Sequence, residues 1–139
     1  MSEPTAAGSP ITYLWRGDFR NEELNSLHAE AFGHAVLADD WRAQLGRHSL
    51  GWVLARAGQE LAGFVNVIWD GGTHAFILDT MVAGAQRRLG VGTRLVGVAA
   101  GQARASGCEW LHVDFTDELT SFYFSSCGFR PTPAGLIAL

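Results

Sequence analysis

The sequence predicts a single mixed α+β domain, with a central and mostly antiparallel sheet flanked by helices. Short β-branched and aromatic runs alternate with segments whose apolar residues recur at helical spacing. Three runs in the middle of the chain follow one another through tight turns, as an antiparallel meander does. A later helix lies between two buried runs, giving one β-α-β crossover and therefore one parallel pair. The 139 residues suffice for one modest core. No repeat or linker divides them.

Met1–Pro10 (MSEPTAAGSP) is small, polar and proline-bearing and is expected to be a disordered leader, with the domain occupying 11–139. Ile11–Arg16 is a first strand. Asn21 is placed to cap a helix carrying Leu24, Leu27, His28, Ala31 and Phe32, which Gly33 closes. Asp39 or Asp40 caps a second, short helix with Trp41 and Leu45, ending near Gly46. Trp52–Ala57, Leu61–Trp69 and His74–Val82 are the meander, joined at Ala57-Gly58-Gln59 and Asp70-Gly71-Gly72. The second and third of these are apolar on both alternating faces, as in a sheet covered on both sides. The loop Ala83–Gly92 leads into a helix over Thr93–Ser106, with Leu95, Val98, Ala99 and Gln102 on one face. Glu109–Phe115 is a strand, Asp117–Ser126 a helix stopped by Gly128, and Phe129-Arg130 and Leu136–Leu139 short final strands.

Ten basic against 14 acidic residues give a net charge of −4, so the basic stripe that nucleic-acid affinity needs is missing. No apolar stretch approaches the roughly 18 residues that span a bilayer. The first ten residues lack the basic and apolar regions of a secretory signal. A cytoplasmic location follows, with Cys108 and Cys127 reduced. Cys108, His112 and Cys127 lack any metal-ligand spacing, so no metal is expected. A hydrolase nucleophile elbow is also missing.

The most informative stretch is Arg87-Arg88-Leu89-Gly90-Val91-Gly92-Thr93, between a buried strand and an amphipathic helix. Without Cβ atoms at Gly90 and Gly92 a ligand can approach the backbone closely. The amides opening the helix have no intrahelical acceptors and carry the positive end of the dipole. With two arginines beside them they suit a diphosphate. The loop is neither a Walker pattern nor a dinucleotide fingerprint, since Leu95 stands where the third glycine belongs. A plain glycine turn with two solvated arginines is the other reading.

Val82–Gly92 resembles the acetyl-coenzyme-A signature of the GNAT N-acetyltransferase superfamily, Arg/Gln-x-x-Gly-x-Gly/Ala after a strand. Arg87, Gly90 and Gly92 match it in position. Ser121–Phe129 (SFYFSSCGF) resembles the superfamily's second signature, a helix with Phe-Tyr followed by Gly-Phe. Two positions depart from the pattern: Gly84 stands where proline is frequent, and Thr116 where asparagine is frequent, seven residues before the tyrosine.

The resemblance implies an acyl-CoA N-acyltransferase-like fold. It implies direct transfer of an acetyl group from acetyl-CoA, as co-substrate, to a small-molecule or peptide amine. It is also compatible with a sensor or subunit that holds acyl-CoA without turnover. Cofactor contacts then fall to Met81, Val82, Arg87, Arg88, Leu89, Gly90, Val91, Gly92 and Thr93, with a backbone amide near Met81 or Val82 polarising the thioester carbonyl. Tyr123 matches the acid that protonates the leaving thiolate; otherwise it is a core aromatic of the Phe122–Phe124 cluster. Asp79, on an apolar strand, is the candidate base because burial raises a carboxyl's proton affinity; otherwise it is a paired aspartate or marks a bulge. His112 and Asp114 share a strand face, and Trp41 on the second helix lies where the superfamily's acceptor cleft is bordered. The apolar end Leu136–Leu139 is suited to pair with a second copy's edge strand, which would make a homodimer.

Overall fold

Four strands run in sequence as neighbours: β1 (Ile11–Trp15), β2 (Ser49–Ala57), β3 (Glu60–Trp69) and β4 (His74–Val82). Each pairs antiparallel with the next. β5 (Trp110–Val113) adds to β4 in parallel, so the five-stranded sheet has the order β1-β2-β3-β4-β5. This computed structural model describes residues 10–139. Of the expected leader only Pro10 falls among them.

Side chains leave a strand alternately to its two faces, and both faces here are covered. The helix between β4 and β5, α3 (Val91–Ala105), crosses β1 to β4 on one side. There Val53, Ala55, Val65, Val67, Ala75 and Ile77 meet Val91, Leu95, Val96 and Ala99. On the other side α1 (Asn21–Phe32) lies against β3 and β4, and α2 (Trp41–His48) against β2. That second core holds Leu24, Leu27, Trp41, Leu45, Leu54, Phe64 and Met81.

Most elements fall where the sequence places them, and the departures have local causes. Arg20, not Asn21, is the N-cap of α1, and its amide donates to Glu23 Oε2 at 3.0 Å. Asn21 instead links the two helices, donating to Asp40 Oδ1 and accepting from the Arg42 amide. Asp40 does cap α2, accepting from the Ala43 amide at 3.2 Å. Gly46 does not stop α2, which runs to His48, and β2 starts at once at Ser49. α3 begins at Val91, two residues early, because Gly90 in a left-handed conformation (φ 79°) is its N-cap. The expected helix Asp117–Ser126 is a short 3₁₀ turn (Asp117–Leu119) followed by a π-helical turn (Ser121–Ser126). β5 is shorter than expected, and neither Phe129-Arg130 nor Leu136–Leu139 is a strand. The latter stands open to solvent: Leu136 is 88% and Ile137 83% exposed.

Candidate active site

A bulge in β4 creates the site. Phe64 pairs with Met81, but two residues along β3, Asn66 pairs with Leu78, so β4 carries one residue more than its partner. The extra residue lies at Asp79-Thr80, and Asp79 has φ 58°. A short polar side chain tolerates that left-handed conformation better than an apolar one. The bulge also coincides with the end of β5: the parallel pairing runs from His74↔Trp110 to Ile77↔Val113 and stops. Beyond Ile77 the outer edge of β4 has no strand partner among the described residues, which leaves an opening in the sheet there.

Register decides which amide faces that opening. The Ala83 amide donates to Ala62 O of β3 at 2.8 Å. Peptide groups alternate in direction along a strand. Met81 therefore also turns its amide toward β3, and Val82 turns its amide and carbonyl away from it. The Val82 carbonyl does accept from Arg87 Nε on that side, at 3.3 Å. Of Met81 and Val82, only Val82 turns its amide away from β3. Met81 is 1% exposed and belongs to the core below α1.

The loop beyond Val82 descends through a 3₁₀ turn (Gly84–Gln86) and reverses at Arg87–Gly90. Arg88 (φ 64°) and Gly90 (φ 79°) both adopt left-handed conformations. Successive amides in such a turn converge on a concavity that suits an anion, and the dipole of the 15-residue α3 adds to it. Gly90 is the residue the turn requires, since a side chain is strained at that φ. The Gly92 position has a different reason: a Cβ there would stand 3.0 Å from Phe122 Cζ. Its missing Cβ admits the second signature's aromatic ring, where the sequence suggested room for a ligand. Val91 is a buried core residue, so only its backbone faces the loop. The Thr93 side chain hydrogen-bonds Cys127. Leu89, Arg87 and Arg88 are exposed.

Tyr123 sits on the π-helical turn, 5% exposed, with its ring stacked on Phe115 at 4.8 Å and edge-on to Phe122 and Phe129. Its hydroxyl shares a hydrogen bond with the side chain of Thr80, next to the bulge. Burial raises the phenol's pKa and outweighs that bond, so the group is protonated at neutral pH.

Asp79 points the other way, toward α1. Its Oδ1 lies 3.8 Å from His28 Nε2, with both side chains about a quarter exposed. Burial raises its pKa, and the charge of His28 opposes that only in part. His28 is held by rings, Phe32 at 4.6 Å and Trp41 at 5.5 Å. Trp41 is itself fixed by its indole N–H donating to Asn25 Oδ1. The bulge thus places one titratable group on each side of β4 where the strand pairing opens.

Other polar residues are brought together elsewhere. His74 Nδ1 and His112 Nε2 are 2.8 Å apart, and Phe76 stacks on His112 at 4.3 Å. This cluster occupies the opposite end of β4 from the bulge. Asn66, buried in β3, accepts from Ser49 Oγ at 2.5 Å. Among the described residues no three His, Cys, Asp or Glu side chains are grouped to hold a metal, and no helix is long and apolar enough to cross a membrane.

The family model for the Acetyltransferase (GNAT) family matches residues 13–129, well over half of the chain. The chain belongs to the GNAT acetyltransferase family. It is accordingly an acyltransferase with that family's fold. Among solved structures, a GNAT family acetyltransferase from Streptococcus pneumoniae is 23% identical with a TM-score of 0.76, covering 94% of this chain and 98% of that one. An aminoglycoside N-acetyltransferase in complex with CoA is 18% identical with a TM-score of 0.75, covering 95% of each. Glucosamine-6-phosphate N-acetyltransferase from Arabidopsis thaliana is 14% identical with a TM-score of 0.70, covering 92% of this chain and 98% of that one. At these identities the likeness is one of fold. No curated protein matches the sequence.

The two departures from the GNAT pattern have structural counterparts. Gly84 keeps the amide that a proline would lack, and that amide donates to Glu30 Oε2 at 2.6 Å. A carboxylate of α1 therefore ties down the start of the loop. Thr116 heads the 3₁₀ turn and hydrogen-bonds Glu118. Sequence reasoning missed Glu30, and it saw His28 only as a helix-face residue. Nothing local marks either one, because each acts on a residue of a distant element.

Proposed function

We propose that this GNAT protein transfers the acetyl group of acetyl-CoA directly to an amine, within a ternary complex. The observation that carries this reading is the bulge, which turns Asp79 toward α1 and Thr80 toward Tyr123 at the point where β5 leaves β4. A thioester laid along that opening has a base on one side and an acid on the other.

Each residue then has a task. The Val82 amide, free of the β3 ladder, donates to the carbonyl oxygen as it becomes an oxyanion. The amides of Arg88 to Thr93 and the Arg87 and Arg88 cations hold the diphosphate. Asp79 takes a proton from the acceptor's ammonium, and Tyr123 gives one to the departing thiolate. The amine enters from the α1 side, where Phe32, His28 and Trp41 line the approach to Asp79. The structural neighbours with CoA in one case and a sugar amine as acceptor in another support this use of the fold. A small-molecule or peptide amine fits the half-open position of Asp79.

The close packing of Tyr123 favours a second reading of that residue, as a core aromatic. Phenylalanine separates the two, since it keeps the ring and removes one hydroxyl. With acetyl-CoA, an amine panel and thiol detection, the wild type releases CoA thiol with at least one acceptor. Tyr123→Phe lowers kcat roughly 10²-fold, the lower end for general acid catalysis, with the melting temperature almost unchanged. Unchanged kcat in a folded variant assigns Tyr123 to the core. No thiol release with any amine, together with tight CoA binding, leaves the acyl-CoA-binding subunit as the function.

A further inference from the structure

Asp79 does not stand alone opposite His28; it ends a chain of imidazoles. His28 Nδ1 is 2.6 Å from His34 Nε2, and His34 Nδ1 is 2.6 Å from Ala35 O. The rings of the two histidines lie 4.8 Å apart. His34 is exposed, in the connection that follows α1, and His28 is half-buried beneath it.

The last acceptor in this chain fixes every proton before it. A backbone carbonyl only accepts, so His34 carries its hydrogen on Nδ1. In neutral His34 the Nε2 atom is then a bare acceptor, so His28 donates from Nδ1. Neutral His28 therefore turns a bare Nε2 toward Asp79 Oδ1, 3.8 Å away. Two lone-pair-bearing atoms facing each other at a desolvated site repel when the carboxylate is ionised. A proton placed between them, on either group, relieves this. The gap exceeds a direct hydrogen bond but lies within reach of a bridging water or a small rotamer adjustment.

We propose that Asp79 and His28 act as one base with a shared proton, and that His34 sets which ring nitrogen of His28 faces the carboxylate. This rests on the acetyl-transfer reading of the site. A lone carboxylate is a weak base toward an ammonium group, and a lone imidazole only somewhat stronger. A proton taken up between the two groups removes the facing lone pairs, so carboxylate and imidazole work on the acceptor's proton together. In the transfer step the acceptor's N–H bond breaks. Its electron pair stays on nitrogen to attack the thioester carbon, and the proton passes to an Asp79 oxygen and on to His28 Nε2. The charge of the pair rises by one, from carboxylate with neutral imidazole to carboxylate with imidazolium. The resulting titration belongs to the pair, not to either residue.

Few other ionisable groups surround the pair. On α1, Glu30 is engaged by the Gly84 amide and Glu23 by Arg56. α2 brings Trp41 to His28, and its Arg42, Arg47 and His48 are exposed. Asp40 at its cap is engaged by Asn21 and Ala43. β3 packs Phe64 beneath α1, with Glu60 exposed at its start. β4 contributes Asp79, with His74 at its far end.

The test is nitrogen-15 NMR of the histidine side chains of the whole protein, with His28 assigned by its loss in His28→Phe. Above the pair's titration, wild-type His28 carries its neutral proton on Nδ1. In His34→Ala that restraint is gone, so His28 shifts to the Nε2–H tautomer and donates to Asp79. The pair's apparent pKa and the acidic limb of the kcat/KM profile then both fall by about half to one pH unit, the size of one hydrogen bond. His34→Gln, which keeps an acceptor for His28 Nδ1, restores the wild-type tautomer and limb. A wild-type His28 protonated on Nε2, or a tautomer and limb that both stay put in His34→Ala, overturns the proposal. If no amine yields thiol, the transfer reading fails on its own terms, and the NMR arm still decides whether the proton is shared.

Discussion

Near the start of α1, Glu23 meets Arg56 of β2; further along the same helix, His28 meets Asp79 of β4. Each pair sets a carboxylate against a cationic or basic group across the same helix–sheet boundary, and the two carboxylates end up shifted in opposite directions. At Glu23, burial pushes the carboxyl upward, but the Arg56 hydrogen bonds, the Arg20 amide and both arginine charges together outweigh it, and its pKa falls below the ordinary value. At Asp79 burial is again the largest influence, opposed only by His28, and its pKa rises. The difference lies in the partners. Arg56 presents two nitrogens to Glu23 while also donating to Asp18 O and Gln59 O. Asp79 faces one ring nitrogen at 3.8 Å. A fully bonded pair holds β2, α1 and the turn before α1 together and has no proton to exchange. A loosely bonded one stays poised to take a proton, which is what the base role proposed for Asp79 requires.

Removing the carboxylate of each pair separates these roles most sharply at Asp79. Asp79→Asn keeps the size of the side chain and tolerates the same left-handed backbone. It is expected to lower kcat/KM by about 10²- to 10⁴-fold, the usual yield of a general base. CoA affinity measured by calorimetry stays near wild type. The folded protein meanwhile becomes more stable at neutral pH, because a buried charge has been removed. A variant that loses stability along with activity would place Asp79 with the structural pairs.

Glu23→Gln is expected to do the reverse. It leaves the Arg56 guanidinium half-buried with only neutral acceptors, at a cost of about 1.5–3 kcal/mol, the scale of hydrogen bonds to a charged group. The melting temperature drops by several degrees, while kcat/KM at a temperature where the variant is folded stays at wild type. The pH dependences also run in opposite directions. Because the folded Glu23 pKa lies below its unfolded value, its contribution is complete above the ordinary carboxylate range and is lost as pH falls through the folded value. Because the folded Asp79 pKa lies above its unfolded value, the folded state binds the extra proton, and stability is lost as pH rises from about 3.9 to the folded value. Melting curves should therefore show the Glu23→Gln deficit shrinking in acid. The Asp79→Asn gain should vanish in acid and be full above the folded pKa. Parallel pH curves for the two variants would erase the distinction.

The sequence and the structure agree most where the information is local. Period-2 apolar runs and Asp-Gly-Gly punctuation mark β2 to β4, and the Arg87–Thr93 spacing marks the loop and the head of α3. What was not legible depends on register and on distant partners. The lone aspartate in the apolar run His74–Val82 is compatible with a bulge, but the switch that puts Asp79 and Met81 on the face opposite Ala75 and Ile77 appears only once β4 is laid on β3. The aromatic segment Ser121–Ser126 has a helical pattern. Its winding into a π turn goes with Tyr123 stacking on Phe115 and Phe122 filling the space at Gly92. An apolar end such as Leu136–Leu139 looks like a strand by composition, but a strand needs a neighbour, and β5 stops at Val113. The partners His28 and Asp79 lie on different elements; Asp79 stands out in its apolar strand, but nothing within α1 marks His28 as its partner.

The third carboxylate of the same helix gives the smallest expected effect and the finest distinction. Glu30 is exposed and accepts a single backbone hydrogen bond, from Gly84, where Glu23 binds a half-buried cation. Its role is to hold the first turn of the loop, not to hold the fold or take a proton. Glu30→Gln retains an acceptor but gives up the charge, so the change should stay within about 0.5–1.5 kcal/mol, the net value of one ordinary hydrogen bond. On the proposed reading the loop holds the CoA portion and not the acceptor, so the loss should be read in the KM for acetyl-CoA, raised by less than about tenfold. The values of kcat, of the acceptor KM and of the melting temperature should change little. Adding Gly84→Pro to the same protein removes the donor as well as the charge. If the Glu30–Gly84 bond is what positions the loop, Gly84→Pro in the Glu30→Gln background raises the acetyl-CoA KM further, because the glutamine oxygen could still accept from the Gly84 amide and proline has none to donate. An acetyl-CoA KM that stays at wild type in Glu30→Gln would show that the Arg87 bond to Val82 and the left-handed turns at Arg88 and Gly90 hold the loop without help from α1.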